Sequence, residues 1–219
     1  PMSSGADRRQ HWDHVFERGP AGVSWYERSP RISLAMIDLA GTGATEPVLD
    51  VGGGASPLPG ALLARGLADV TVLDVSEVAL RTSRFILGDS SDRIRWIHAD
   101  VLEWSPERTY GLWHDRALFH FLVDPGDRER YVATARSGVR PGGHIVVGTF
   151  AEDGPATCSG LPVARYDTQA LADAFGDGFA PIASRRDEHL TPGGAVQAFT
   201  WIALRRLDPG AARDPLGGR

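Results

Sequence analysis

The sequence predicts an α/β fold on a parallel sheet, from three observations. Short apolar runs alternate with amphipathic stretches from Val48 onward, the pattern of strands joined by helical crossovers. The first run, Val48-Leu49-Asp50-Val51, ends in Gly52-Gly53-Gly54 and reads as a buried strand entering a tight turn. Acidic residues close successive runs at Asp50, Asp74 and Asp100, and ligands of open α/β sheets collect outside the carboxyl ends of the strands.

After the glycine turn, Ser56 offers a helix N-cap, Pro57 suits the first helical position, and Leu58, Leu62 and Leu63 form an apolar stripe. Val70 to Asp74 is the second strand. Ser76 caps the next helix, whose inner face is read as Val78, Ala79, Thr82, Phe85 and Ile86. Ile94 to His98 forms the third strand and Tyr110 to Asp115 the fourth. Asp124-Pro125 opens a helix with Tyr131, Val132 and Ala135 on one face, closed by Pro141-Gly142-Gly143. His144 to Phe150 is the fifth strand, and a helix over Asp167 to Phe175 stops at Gly176. Two strands, Phe179 to Ser184 and Val196 to Leu204, are joined through Thr191-Pro192-Gly193-Gly194. They read as a hairpin, an unusual ending for a parallel sheet.

The chain has 219 residues, 42% hydrophobic and 23% charged, which suits one domain with its own core. No apolar run approaches the roughly 18 residues of a membrane span. The opening PMSSGADRRQHWDH has no apolar centre and is not read as a secretory signal. A single cysteine, Cys158, leaves no internal disulfide framework and no thiol-based zinc site. The net charge of −5 provides no global basic field for nucleic acid. These features point to a cytoplasmic protein with no membrane or nucleic-acid partner; they do not fix the oligomeric state, for which a monomer or homodimer is expected.

Asp74 lies 24 residues beyond Asp50, where a carboxylate can accept from both hydroxyls of a ribose. The glycine turn lets backbone approach a ligand and presents N–H groups to it. A dinucleotide fingerprint would want glycine where Pro57 stands. A phosphate-binding loop would want a lysine, and the chain has none. The site is therefore read as nucleoside-binding without a pyrophosphate.

These residues carry a resemblance. VLDVGGGAS at Val48 to Ser56 is similar to the first motif of the class I S-adenosylmethionine-dependent methyltransferases, and TVLDVS with Asp74 to the second. HADVLEW at His98 to Trp104 resembles the third motif and YGLWHDRALFHFL the fourth. RPGGHIVVGTF resembles the fifth strand with its preceding turn. The resemblance implies a Rossmann-like three-layer α/β sandwich, a seven-stranded sheet ordered 3-2-1-4-5-7-6 with the last hairpin antiparallel. It implies a helical lid or substrate segment over 1–45, the S-adenosylmethionine-binding methyltransferase domain over 46–207, and a flexible tail over 208–219. Carried over by position, Gly52, Gly53 and Gly54 lie against the methionine part of the cofactor, with Asp50 near its amino group. Asp74 with Val75 holds the ribose, and Asp100 with Val101 meets the adenine. Trp25 and Asp115 complete the cofactor contacts, and S-adenosylhomocysteine is the product.

Methyl transfer from a sulfonium is an in-line displacement that needs alignment and exclusion of water. Aromatic faces favour a sulfonium, and Trp12, Trp25 and Tyr26 offer such faces. Trp113-His114-Asp115-Arg116 resembles the W-D-R run of the thiopurine, halide/thiol and tellurite-resistance methyltransferases, interrupted by His114. Cys158 to Val163 is similar to their substrate loop. That resemblance implies a small-molecule acceptor with a soft sulfur, selenium or halide nucleophile. Arg116 would favour the anion, with Arg165 and Arg186 completing a basic trio, and Asp115 or His114 would move the proton. The fourth motif and terminal hairpin also resemble small protein lysine methyltransferases, and a cofactor-binding scaffold without turnover is the remaining alternative. His98, His114 and His120 crowd the third and fourth strands, but no metal site is expected from their spacing. His98 reads as a strand-end residue without chemistry, and His120 as packing.

Overall fold

The computed structural model describes residues 4–19, 23–24 and 26–208. In chain order its elements are α1 (Gly5–Phe16), α2 (Arg31–Ala40), β1 (Val48–Val51), α3 (Leu58–Ala64), β2 (Val70–Asp74), α4 (Glu77–Leu87) and β3 (Ile94–His98). Then follow β4 (Tyr110–Arg116), α5 (Pro125–Gly138), β5 (Val139–Phe150), β6 (Thr157–Cys158), β7 (Leu161–Pro162), α6 (Thr168–Phe175), β8 (Phe179–Leu190) and β9 (Val196–Arg206). The sheet has seven strands in the order β3-β2-β1-β4-β5-β9-β8. Strands β1 to β5 pair in parallel, while β9 joins β5 antiparallel and β8 closes the edge. Counted within the sheet, this is the expected order, and β6-β7 is a separate small hairpin.

Strand alternation divides the core into two layers. Leu49, Val51, Leu73, Trp113, Ile145 and Val147 pack with Tyr131, Val132 and Ala135 of α5 and Leu171 and Phe175 of α6. Val48, Val70, Val72, Leu112 and Val146 pack with Met36 and Ile37 of α2, Leu58 and Leu62 of α3 and Leu80 of α4. Helices on both faces are what a parallel sheet needs, because neither face can be left to water. No helix among the described residues is long and apolar enough to cross a membrane.

Several expectations are corrected. Helix α4 buries Ala79, Leu80 and Ser83, whereas Phe85 is 88% exposed and Ile86 61%. Its N-terminus sets this rotation: Ser76 Oγ accepts the Ala79 N–H and donates to Asp13 of α1, so the 76/79/80/83 line faces inward. The fifth strand begins at Val139, five residues before the expected start. Between the Tyr110↔Val139 and Leu112↔His144 pairs the register shifts, and Pro141-Gly142-Gly143 is absorbed there as a bulge, with Gly142 at φ +73°. Strands β8 and β9 run on to Leu190 and Arg206, longer than their apolar cores suggest, because hairpin pairing continues through Arg185, Asp187 and His189. The tail expected over 208–219 lies, apart from Asp208, outside the described residues.

Candidate functional site

The glycine turn after β1 is shaped by its neighbours. Gly52 and Gly54 sit at φ +63° and +47°, in the left-handed region that side chains avoid. A Cβ at Gly53 would stand 2.6 Å from Asp50 Oδ2, and one at Gly54 2.8 Å from Phe16 Cζ. Asp74 braces the turn from β2: its Oδ2 accepts the Gly54 N–H at 2.8 Å and its Oδ1 the Ser76 N–H at 2.8 Å. Burial pushes the Asp74 carboxyl up to about 7, against the downward pull of those two N–H groups.

Two cavities meet at this turn and share Gly52, Phe16 and Arg116 in their walls. The larger, about 510 Å³, has an acidic half and an apolar half. Asp74, Val75, Ala99, Asp100 and Val101 line the first; Leu118, Phe121, Leu122, Leu161 and Pro162 line the second. The smaller, about 50 Å³, lies under the turn and is lined by Asp50, Gly53, Gly54, Tyr26, Glu27 and His114 among others.

Helix α1 roofs the larger cavity. Arg8, Trp12 and Phe16, spaced four apart on one helix face, all line it. Trp12 packs edge-on against Phe121 at 4.8 Å between centroids. Arg8 Nε donates to Asp100 Oδ2, whose Oδ1 accepts the Leu102 N–H. Asp13 fixes the middle of the helix by accepting from Ser76 Oγ at 2.7 Å and the Val78 N–H at 3.2 Å. Sequence reading singled out Trp12 but missed Arg8, Asp13 and Phe16; the 8/12/16 spacing was the available signal.

The fourth strand distributes its residues by alternation. His114 and Arg116 point to the cavity side, and Asp115 points the other way. Asp115 is fully buried, with Oδ2 accepting from Tyr131 Oη at 2.6 Å and Oδ1 from the Leu118 and Phe119 N–H groups. Tyr131 in turn accepts from Trp113 Nε1 at 2.9 Å. Asp115 lines neither cavity, which corrects its expected catalytic and cofactor-contact roles: it positions the turn after β4. Burial raises its carboxyl to about 6.

Arg116 lies 3.6 Å from Glu27 and over the Phe199 ring at 5.5 Å. Burial raises the Glu27 carboxyl and lowers the Arg116 guanidinium from their ordinary values. The expected basic trio does not converge. Arg186 is paired with Asp153 on the surface, and exposed Arg165 donates to the Gly154 carbonyl. His98 contacts the Val75 carbonyl and Glu77. His120 is buried, its Nδ1 accepting the Phe150 N–H, and burial lowers it to about 3, so it is neutral at pH 7. Cys158 is buried beside Ser24, and burial raises its thiol. Tyr26 lines the smaller cavity; Trp25 lies outside the described residues.

Residues 48–143 match the family described as methyltransferase domain. The ubiquinone biosynthesis O-methyltransferase of Aromatoleum aromaticum is 31% identical over 160 residues, 73% of this chain, and the chain spans 65% of that protein's length. Among solved structures, the Burkholderia thailandensis 1,6-didemethyltoxoflavin-N1-methyltransferase superposes with a TM-score of 0.75 at 19% identity, over 95% of this chain and 92% of that one. The N-methyltransferase NodS of Bradyrhizobium japonicum WM9, solved with S-adenosyl-l-homocysteine, gives 0.69 at 16% identity, over 92% and 99%. The fold is therefore that of these methyltransferases, and residues 48–143 are similar to a methyltransferase domain.

Proposed function

We propose that the chain moves a methyl group from S-adenosylmethionine to a small-molecule acceptor with a soft, ready nucleophile: sulfur, selenium or halide. When bound, S-adenosylmethionine supplies a methyl carbon already activated by its sulfonium. The residues suit it. The glycine turn and Asp50 would hold its amino-acid end, Asp74 has lone pairs left for ribose hydroxyls, and Val75, Asp100 and Val101 flank the place for adenine. Trp12 and Phe121, packed edge-on in the wall of the larger cavity, would shield the transfer point from water.

One observation carries the choice of acceptor. The ionisable residues in the wall of the larger cavity are Asp74, Asp100, Asp124, Asp127, Arg8 and Arg116. Arg116, shared by the two cavities and paired with Glu27, is the cation that an anionic nucleophile would meet, and the apolar half offers room for a compact apolar body. A thiolate or selenolate needs no further proton removal, so alignment and desolvation are the chain's main contributions. Transfer to oxygen is the second reading, favoured by the relative named for ubiquinone biosynthesis.

The test is incubation with methyl-labelled S-adenosylmethionine, a pool of thiols, selenite, halides and catechols, and a cell lysate. Label is counted separately in headspace, small-molecule and protein fractions. Label on a thiol, selenium or halide product is expected. Label on catechols alone would replace the soft acceptor by oxygen, and label on protein would replace it by a lysine-type acceptor. Cofactor binding without label anywhere would leave a scaffold.

A further inference from the structure

Asp50 and His114 stand side by side on β1 and β4, paired in register across the sheet. Both are 2% exposed, and His114 Nδ1 lies 2.7 Å from Asp50 Oδ1. A carboxylate only accepts, so the contact is a hydrogen bond donated by His114 Nδ1–H to Asp50 Oδ1. Asp50 Oδ2 and His114 Nε2 are both buried, and neither meets a protein donor among the described residues. Both side chains line the small cavity beneath the glycine turn. A buried carboxylate oxygen without a donor carries a large desolvation cost unless a donor with several N–H groups enters the cavity.

We propose that His114 is a positioning residue for the amino-acid end of the cofactor: its Nδ1–H fixes the Asp50 carboxylate so that Oδ2 receives an α-ammonium group. This gives His114 a role in place of the general base expected from the sequence, and it rests on the reading of the site as one for S-adenosylmethionine. Geometry supports the division of labour. Gly53 leaves open the space beside Asp50 Oδ2 that any Cβ would take. Arg116 and Glu27, which line the same cavity, form an ion pair and leave the Asp50 carboxylate to face the ammonium. The larger cavity, where nucleoside and acceptor are placed, has neither Asp50 nor His114 in its wall.

The experiment compares two probes by calorimetry: S-adenosylhomocysteine, which carries the amino-acid end, and 5′-methylthioadenosine, which lacks it. His114→Leu is expected to weaken S-adenosylhomocysteine roughly 10- to 100-fold, the scale of a lost hydrogen bond to a charged group, and to leave 5′-methylthioadenosine within about twofold. His114→Asn, whose amide N–H can replace the Nδ1 donor, is expected to recover most of the loss. Asp50→Asn, nearly isosteric, should show the same selective loss and keeps the test decisive if His114→Leu fails to fold. Equal weakening of both probes, or unchanged S-adenosylhomocysteine binding in these variants, would overturn the proposal. Failure of the unaltered protein to bind either probe would instead overturn the cofactor reading, and with it this role for His114.

Discussion

Asp115 shows how much one residue's direction decides. Its place at the end of a strand in an open sheet is where catalytic side chains gather, yet alternation turns it away from His114 and Arg116 into the layer beneath α5. A measurable consequence follows from its carboxyl, raised by burial to about 6 from 3.8. The folded chain holds this proton to higher pH than the unfolded chain does. Its contribution to stability is therefore fully present below about pH 4 and is lost as pH rises to about 6, by on the order of 3 kcal/mol. Denaturant unfolding of the unaltered protein and Asp115→Asn across pH 4 to 7 checks this: the difference should move against the unaltered protein over that window and level off above it. A difference independent of pH would contradict the buried, raised carboxyl. Composition could not reveal this placement, because Trp113-His114-Asp115-Arg116 gives no sign of which face each side chain takes until the strand is fixed between its neighbours.

Helix α1 lines the larger cavity and is the element to which closure of the site is proposed to belong. Its own sequence gives it little helical amphipathicity, and it is held by polar contacts: Arg8 to Asp100, Gly5 N–H to Glu103, and Asp13 to Ser76 and Val78. Removing the Asp13 carboxylate by Asp13→Ala should cost about 1–2 kcal/mol, since two donors lose their acceptor, with a corresponding fall in midpoint on denaturant unfolding. A helix that roofs the ligand through Arg8, Trp12 and Phe16 should also gain amide protection when S-adenosylhomocysteine is added. Hydrogen exchange over residues 5–16 should slow by several-fold in the unaltered protein; no change in that segment would mean that α1 lies outside the closing surface. The strands β1 to β4 were legible because their apolar runs are short and bounded by turns and acids. The faces of α1 and α4 were not, because each is set by contacts from distant segments, Asp100 and Ser76 for one and Asp13 for the other.

At the scale of the molecule, the sheet order brings the three strand-end aspartates to one edge, and they divide the work. Asp50 lies in the small cavity, while Asp74 and Asp100 line the large one. This much could be read from 50/74/100 and the glycine turn, since a parallel sheet aligns strand ends whatever the loops contain. The acceptor half could not: Leu118, Phe121, Leu161 and Pro162 come from separate loops, and only the fold shows that they share a wall. The proposed basic trio failed for the same reason, as Arg165 and Arg186 belong to segments that the sheet carries away from Arg116. On the proposed reading, recognition of the nucleoside would rest on the common sheet edge, and choice of acceptor on the loops around Arg116.

The central claim is that the edge around Asp74 binds the methyl donor. Its most direct test is an equilibrium titration of the protein and of Asp74→Ala with S-adenosylhomocysteine. The unaltered protein should bind at one site per chain, and Asp74→Ala should bind at least tenfold more weakly while keeping its fold by circular dichroism. Absence of binding to the unaltered protein, or equal affinity in the folded variant, would contradict the assignment.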